Sequence, residues 1–267
     1  MKWFSRLPVL VRVILYLGAC EFLVFLSQLI TGFFSFRGPV SINLLLCTLL
    51  LVTTSVILRI EGLRWADAGM KAGSSEIRRL LIGVPTGMAM LFITAWVIQL
   101  MTGFQWALNP AFSWWQLPGI FVAVFCSAFA QELAFRGYPF FLLLRKWGEW
   151  PAQLVIAFFF GCMHLHEGMS WQAVLMAMFN TGIGSLLFGM ATIRTGTVIL
   201  ASGIHFGWNF LQYLLPRSPG ENGKGPWLVT GGHTQHMSMA VYTVPYIAVI
   251  ALVYIMLRTV PGKEQKL

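Results

Sequence analysis

The stretch that decides the fold is LPGIFVAVFCSAFAQELAFRGYPFFLLL, residues 117–144. It is longer than the roughly 20 apolar residues that cross a bilayer as a helix, yet it carries two charged side chains. Glu132 and Arg136 are four residues apart, so they share one helix face and can pair. Ionisable groups inside a membrane are costly, and they mark either a functional site or a neutralised structural pair. The stretch by itself leaves both interpretations open.

Similar apolar runs continue along the chain, of which 57% is hydrophobic and only 10% charged. Soluble domains have about 25% charged residues, and lipid can surround apolar surface that a soluble fold of this size cannot bury. We therefore expect an all-α, polytopic transmembrane helix bundle with about eight spanning helices, forming a single integral membrane domain over residues 1–267. The predicted helices are 9–30, 40–58, 80–100, 117–144, 151–165, 171–190, 197–214 and 239–257.

The basic residues predict the orientation, because cytoplasmic loops of membrane proteins are enriched in Lys and Arg. One side of the bundle collects Lys2, Arg6, Arg12, Arg59, Arg64, Lys71, Arg78, Arg79, Arg145, Lys146, Arg194, Arg258, Lys263 and Lys266. The other side has only Arg37, Arg217 and Lys224. We expect both termini in the cytoplasm and the protein in a cell membrane of the bacterial plasma-membrane type. Nucleic-acid binding is not indicated, because the sequence has no basic patch with interleaved aromatic residues.

The ends and loops of the chain give weaker indications. Leu17–Cys20 resembles a lipoprotein cleavage box, but the apolar run continues to Ile30, which favours a first spanning helix. The four cysteines lie in apolar runs without metal-ligand spacing and are expected to act as small hydrophobic residues. Residues 59–79 are expected to hold a short interfacial helix. Residues 216–237 are rich in Gly and Pro, include His233, and could form a lid or re-entrant loop.

Further polar residues lie within the predicted helices after residue 117. His205 and Asn209 are one helical turn apart, so both can donate hydrogen bonds in one direction. Two convergent donors suit a developing oxyanion, although Asn and His also hold membrane helices together. His164 follows Phe160 at the same spacing. Glu21, in the first helix, has no evident partner.

These groups form a more specific pattern together than singly. A carboxylate, two histidines, an Asn and a Gln on three helices could build a polar site in which an acid/base pair activates water. Nearby glycines would allow the helices to approach closely: Gly137, Gly161, Gly203 and Gly207. Hydrolysis of a peptide bond is a reaction that such a site could perform.

The three segments resemble the motifs of the CAAX prenyl endopeptidase and bacteriocin-processing (CPBP, or Abi) intramembrane proteases. That family has EExxxR, FxxxH and HxxxN or HxxxD on successive helices. This chain has Gln131-Glu132-xxx-Arg136, Phe160-xxx-His164 and His205-xxx-Asn209 in the same order. The resemblance covers about residues 115–212, the predicted protease core.

The resemblance implies catalytic roles for six residues. It implies that His164, with a carboxylate, activates the attacking water, and that His205 and Asn209 hold the oxyanion. Arg136 would hold the acidic pair. Gln131 stands where the family has its first Glu, and an amide cannot accept a proton at neutral pH. Either Glu132 takes over the water activation, or His164 acts alone, or the chain does not cleave peptides.

The resemblance implies a mechanism without a metal or other cofactor. A divalent metal remains an alternative, with Glu132, His164 and His205 as its three ligands. His166 and Glu167 do not begin an HExxH zinc motif. No rhomboid-like motif surrounds Ser127 or Ser202.

Three functions follow from these observations. The first is an intramembrane peptidase that acts on a membrane-associated peptide or protein. The second is a catalytically impaired family member that serves as a membrane scaffold or regulator, which Gln131 favours. The third is a small transporter or channel, because intramembrane Glu, Arg and His can mark ion paths. No inverted repeat supports the third.

Overall fold

The computed structural model describes residues 4–35, 38–218, 225–232 and 239–259. The helices are α1 (Val9–Phe33), α2 (Pro39–Glu61), α3 (Ser74–Thr102), α4 (Leu117–Arg136), α5 (Tyr138–Trp147), α6 (Glu149–Cys162), α7 (Trp171–Thr195), α8 (Ile199–Leu214) and α9 (Met239–Thr259). Within the described residues there are also two short strands, β1 (Gln105–Leu108) after α3 and β2 (Trp227–Thr230) between α8 and α9. Short 3₁₀ turns lie at Phe4–Arg6, Trp65–Ala68 and Trp114–Gln116.

The helices confirm the expected all-α membrane class. Within the described residues, six segments are long and apolar enough to cross a bilayer: α1, α2, α3, the stretch from residue 114 to 147, α7 and α9. Helix α6 is apolar but has only 14 residues, and α8 has 16. The chain is therefore a multi-pass membrane protein. The total of about eight spans and the cytoplasmic location of both ends stay predictions.

The helix predicted over residues 117–144 is broken, which corrects that prediction. Helix α4 ends at Arg136, and Gly137 takes a non-helical conformation with ψ near −125° before α5 begins. A Cβ at Gly137 would overlap the carbonyl oxygen of Leu133, so the bend requires glycine here. Pro139 lacks an N–H and is suited to the first turn of a new helix rather than the middle of one. Arg136 consequently lies at a helix end, in contact with several neighbouring helices.

A two-stranded antiparallel sheet was not predicted. Strand β1 pairs with β2 so that Gln105 opposes Thr230 and Leu108 opposes Trp227. Part of the segment 216–237 is therefore a strand, while residues 219–224 and 233–238, including His233, lie outside the described residues. In the segment 59–79, the expected interfacial helix is a single 3₁₀ turn at Trp65–Ala68, and α3 already begins at Ser74.

Glycines bring α3 and α8 into backbone contact, and this is the most extensive helix pair. A Cβ at Gly207 would overlap the carbonyl oxygen of Val84, and one at Gly87 would overlap that of Ile204. The spacing of Gly83 and Gly87 matches that of Gly203 and Gly207, the small-xxx-small pattern of close membrane-helix pairs. The close approach predicted for Gly203 and Gly207 is confirmed. This contact fixes the rotation of α8 about its axis and therefore the direction in which His205 points.

Candidate active site

A cavity of about 430 Å³ opens between α3, α4, α6, α7, α8 and α9. Four of the six predicted site residues line it: Gln131, His164, His205 and Asn209. The lining extends past the end of α8 to Arg217 and Ser218. Amide and imidazole groups thus meet apolar side chains in one space, as in binding sites built inside helix bundles.

Glu132 lies behind this cavity and is not among the residues that line it. Its side chain is fully buried, and Oε1 accepts hydrogen bonds from His205 Nδ1 at 2.8 Å and Arg136 Nη1 at 3.3 Å. The carboxylate therefore joins α4 to α8. Glu132 is therefore in a position to orient His205 rather than to contact a substrate directly.

Arg136 balances the charge of Glu132 and connects two further helices. Its Nη2 donates to Ser185 Oγ at 2.5 Å and to the Ser185 carbonyl oxygen at 3.3 Å. Its guanidinium lies 4.3 Å from the centroid of the Phe160 ring, within range of a cation–π contact. A buried charge is tolerated when it is paired and hydrogen-bonded. Arg136 thus holds α4, α6 and α7 together beside the cavity.

The contacts of His205 determine its tautomer. Nδ1 faces a carboxylate oxygen, which only accepts, so Nδ1 carries the proton. The ring stacks on Phe188 with centroids 4.7 Å apart and is only 5% exposed. A histidine oriented by a carboxylate in this way keeps Nε2 for a ligand.

His164 lies just beyond α6, on the exposed side of the cavity. Its Nδ1 lies 2.8 Å from the carbonyl oxygen of Phe160, which only accepts, so this nitrogen also carries a proton. The neutral ring then has its lone pair on Nε2. A histidine with a free lone pair in a cavity is a suitable general base.

Gln131 and Asn209 supply amides to the same space. Gln131 Nε2 donates to Ser127 Oγ at 3.4 Å, a long hydrogen bond that uses one of its two N–H groups. Asn209 lies one turn from His205 on α8, and both line the cavity. The structure therefore brings five of the predicted residues to one cavity or directly behind it, with Arg136 one contact further away.

Sequence reasoning did not identify Ser185 or Phe188, which hold Arg136 and His205 from α7. Neither belongs to a recognisable motif, and both become significant only because α7 packs against α6 and α8. Glycines near them, Gly184 and Gly189, were the only local signal of close packing.

The alternative metal site finds no geometric support. Among residues 4–35, 38–218, 225–232 and 239–259, no group of three or more His, Cys, Asp or Glu side chains could hold a metal ion. Glu132, His164 and His205 do not form such a group. The metal-independent mechanism stays a prediction.

Comparison with known families adds an independent observation. Residues 113–211 match the family model described as "Type II CAAX prenyl endopeptidase Rce1-like". This segment runs from just before α4 into α8 and contains all three motifs. No curated protein matches the chain with significant similarity. The segment that carries the three ordered motifs around this cavity is therefore similar to the type II CAAX prenyl endopeptidases.

Proposed function

We propose that this protein hydrolyses a peptide bond of a membrane-associated peptide or protein. The observation that carries the proposal is the convergence of His164, His205, Asn209 and Gln131 on one cavity between apolar helices. The partners implied are that peptide substrate and the surrounding lipid. Hydrolysis needs a base, oxyanion donors and a place for water, and each can be assigned to a residue of this cavity.

In the proposed mechanism, His164 Nε2 takes a proton from water while the water oxygen bonds to the carbonyl carbon of the substrate. The carbonyl oxygen becomes an oxyanion, which accepts hydrogen bonds from the Asn209 amide and from Nε2–H of protonated His205. The proton on His164 then passes to the leaving nitrogen, and the C–N bond breaks.

Glu132 has a different role in this proposal from the one expected by resemblance. Its bonded oxygen contacts His205 and Arg136, and the side chain is absent from the cavity lining. We therefore assign proton transfer to His164 and assign to Glu132 the orientation of His205 and the stabilisation of its cationic form. Gln131 orients the attacking water without accepting its proton.

The first prediction concerns His164. The substitution His164→Ala removes the proposed base, and kcat should fall by at least about 100-fold, within the range for loss of a general base. The assay is cleavage of candidate peptides by the purified protein. His166→Ala is the matched control, because His166 is exposed two residues further along and does not line the cavity. Undiminished cleavage by His164→Ala would contradict the mechanism.

A second candidate function, a catalytically impaired scaffold or regulator, has one observation in its favour. The side chain of position 131 reaches the cavity as an amide, while the neighbouring carboxylate is held by Arg136 and His205. The pair of residues thus presents no carboxylate to the cavity.

The substitution Gln131→Glu distinguishes the two functions, and it is the second prediction. If the unsubstituted protein is a peptidase, it should cleave its substrate at a rate equal to or greater than that of Gln131→Glu, because His164 already supplies the base. If cleavage is detected only after Gln131→Glu, the scaffold function is correct. The measurement is a side-by-side peptide cleavage assay of both proteins.

A further inference from the structure

Arg217 introduces a positive charge into the cavity that contains the proposed base, and the mechanism above gives this charge no role. Among the described residues that line the cavity, Arg217 is the only Lys, Arg, Asp or Glu. His164 and His205 also line it and can add only positive charge. A cation between low-dielectric walls attracts anions more strongly than a cation in bulk water does. The cavity is therefore suited to a substrate that carries negative charge.

The contact of Arg217 with Trp208 indicates how far this charge lies from the proposed reaction site. The guanidinium lies 5.7 Å from the centroid of the Trp208 ring, within range of a cation–π contact. Trp208 follows His205 by three residues on α8, which is slightly less than one helical turn. Together with the length of the Trp side chain, this places the guanidinium on the order of 10 Å from the proposed oxyanion site. An extended peptide covers that distance in about two to four residues.

The aromatic ring beneath the guanidinium is held in place by three helices. Trp208 Nε1 donates to Gln212 Oε1 at 3.0 Å, one turn further along α8. The ring of Tyr246 in α9 meets the Trp208 ring edge to face, with centroids 5.5 Å apart. The Tyr246 hydroxyl in turn donates to the carbonyl oxygen of Asn180 in α7 at 2.7 Å. A surface fixed in this way before binding loses less conformational entropy when a ligand contacts it.

We propose that this cavity selects peptides with an acidic side chain about two to four residues from the bond that is cleaved, and that Arg217 binds its carboxylate. The guanidinium donates charge-assisted hydrogen bonds to the carboxylate oxygens. The same charge disfavours a basic side chain at that place. A peptide fits better than a lipid headgroup, because Arg217 lines the same cavity as His164 and His205. This inference rests on the proposed peptidase function and names the class of its substrate.

The substitution Arg217→Gln tests this role with pairs of peptides that differ only in one Glu or Gln. The Glu or Gln is placed in turn at each of the positions two to four residues from the cleaved bond, and blocked peptide ends remove the terminal charges. For the preferred Glu peptide, kcat/KM should fall by about 10- to 100-fold, the range for a hydrogen bond to a charged group. For its Gln counterpart the change should be about twofold at most, because no carboxylate is involved. Arg78→Gln is the matched control, since Arg78 is exposed in α3 and does not line the cavity.

The substitution Arg217→Glu provides a readout that a purely structural role would not produce. A carboxylate at position 217 can bind a lysine of the substrate, so the preference should reverse. We expect Arg217→Glu to cleave the peptide with Lys at the preferred position at least about tenfold better than the Glu peptide, and the unsubstituted protein to show the opposite order. A structural defect would lower the cleavage of both peptides alike. Gel filtration of each detergent-solubilised variant verifies that it is folded.

A binding measurement separates this inference from the proposed function. Fluorescence anisotropy gives the Kd of a labelled Glu peptide for His164→Ala, which lacks the proposed base, and for His164→Ala/Arg217→Gln, where we expect Kd to rise at least about tenfold. If the unsubstituted protein cleaves Glu and Gln peptides equally well, or Arg217→Gln affects both alike, the inference is wrong and the peptidase function stands. If the Glu peptide binds in an Arg217-dependent way but is never cleaved, the peptidase function fails and the acidic-peptide site stands. If the peptide is neither bound nor cleaved, both fail.

Discussion

Gln131 and Glu132 are neighbours in sequence but have different surroundings. Successive side chains of a helix point about 100° apart, so only one of the two can face a given space. Gln131 lines the cavity, whereas Glu132 is fully buried against Arg136 and His205. In the proposed mechanism, the amide of Gln131 therefore faces the substrate, and the carboxylate of Glu132 acts through His205.

The third prediction is a residue-scale test of the buried ion pair. Arg136→Met leaves Glu132 without its cation, and removing one partner of a buried pair costs about 3–5 kcal/mol of stability. The double variant Glu132→Gln/Arg136→Met removes both charges and should regain part of that loss. The measurement is the free energy of unfolding in detergent. If the double variant is no more stable than Arg136→Met, the unpaired charge of Glu132 is not the cause of the lost stability.

At the scale of elements, the helix pair α3–α8 sets the position of the site. Gly83, Gly87, Gly203 and Gly207 allow the two backbones to touch, and His205 lies between the two glycines of α8. In lipid there is no hydrophobic driving force between helices, and small residues allow the close van der Waals packing that holds them together instead. A change in the distance between these helices would shift His205 and Asn209 relative to His164.

The fourth prediction follows from this contact. In Gly207→Ala the added Cβ would overlap the backbone of α3 at Val84, so the helices must separate. We expect a loss of about 1–3 kcal/mol in stability, typical of overpacking, together with reduced peptide cleavage.

The matched control for this prediction is Gly18→Ala in α1, where a Cβ would meet nothing within 4 Å. Thermal unfolding of the two variants compares the effects directly. Equal stability of Gly207→Ala and Gly18→Ala would contradict the importance of the close contact.

Sequence patterns predicted which segments are helical, but they did not predict the break at Gly137 or the pairing of β1 with β2. The apolar runs predicted α1, α2, α3, α7 and α9, with ends that differ from the structure by up to six residues, at the start of α3. The break at Gly137 had a local signal, Gly followed two residues later by Pro139, but the continuous apolar character of residues 117–144 concealed it. The pairing of β1 with β2 had no such signal, because short strands depend on a partner more than a hundred residues away.

At the scale of the whole molecule, the fifth prediction concerns orientation in the membrane. The distribution of basic residues predicts that both termini lie in the cytoplasm. A fluorescent protein fused to the C-terminus should therefore fluoresce, and an alkaline phosphatase fused there should be inactive. The reverse result would place the C-terminus outside the cytoplasm and would contradict the predicted orientation.

The sequence by itself determined that this is a helical membrane protein, and it predicted the side chains of a candidate site. Hydrophobic runs and rare intramembrane charges are local properties that a chain displays without folding. Only the tertiary structure decided that Glu132 also binds His205, that Ser185 holds Arg136, and that Gln131 rather than Glu132 lines the cavity. These relations depend on helix rotation and on contacts between distant segments, which the spacing of residues within one helix does not contain.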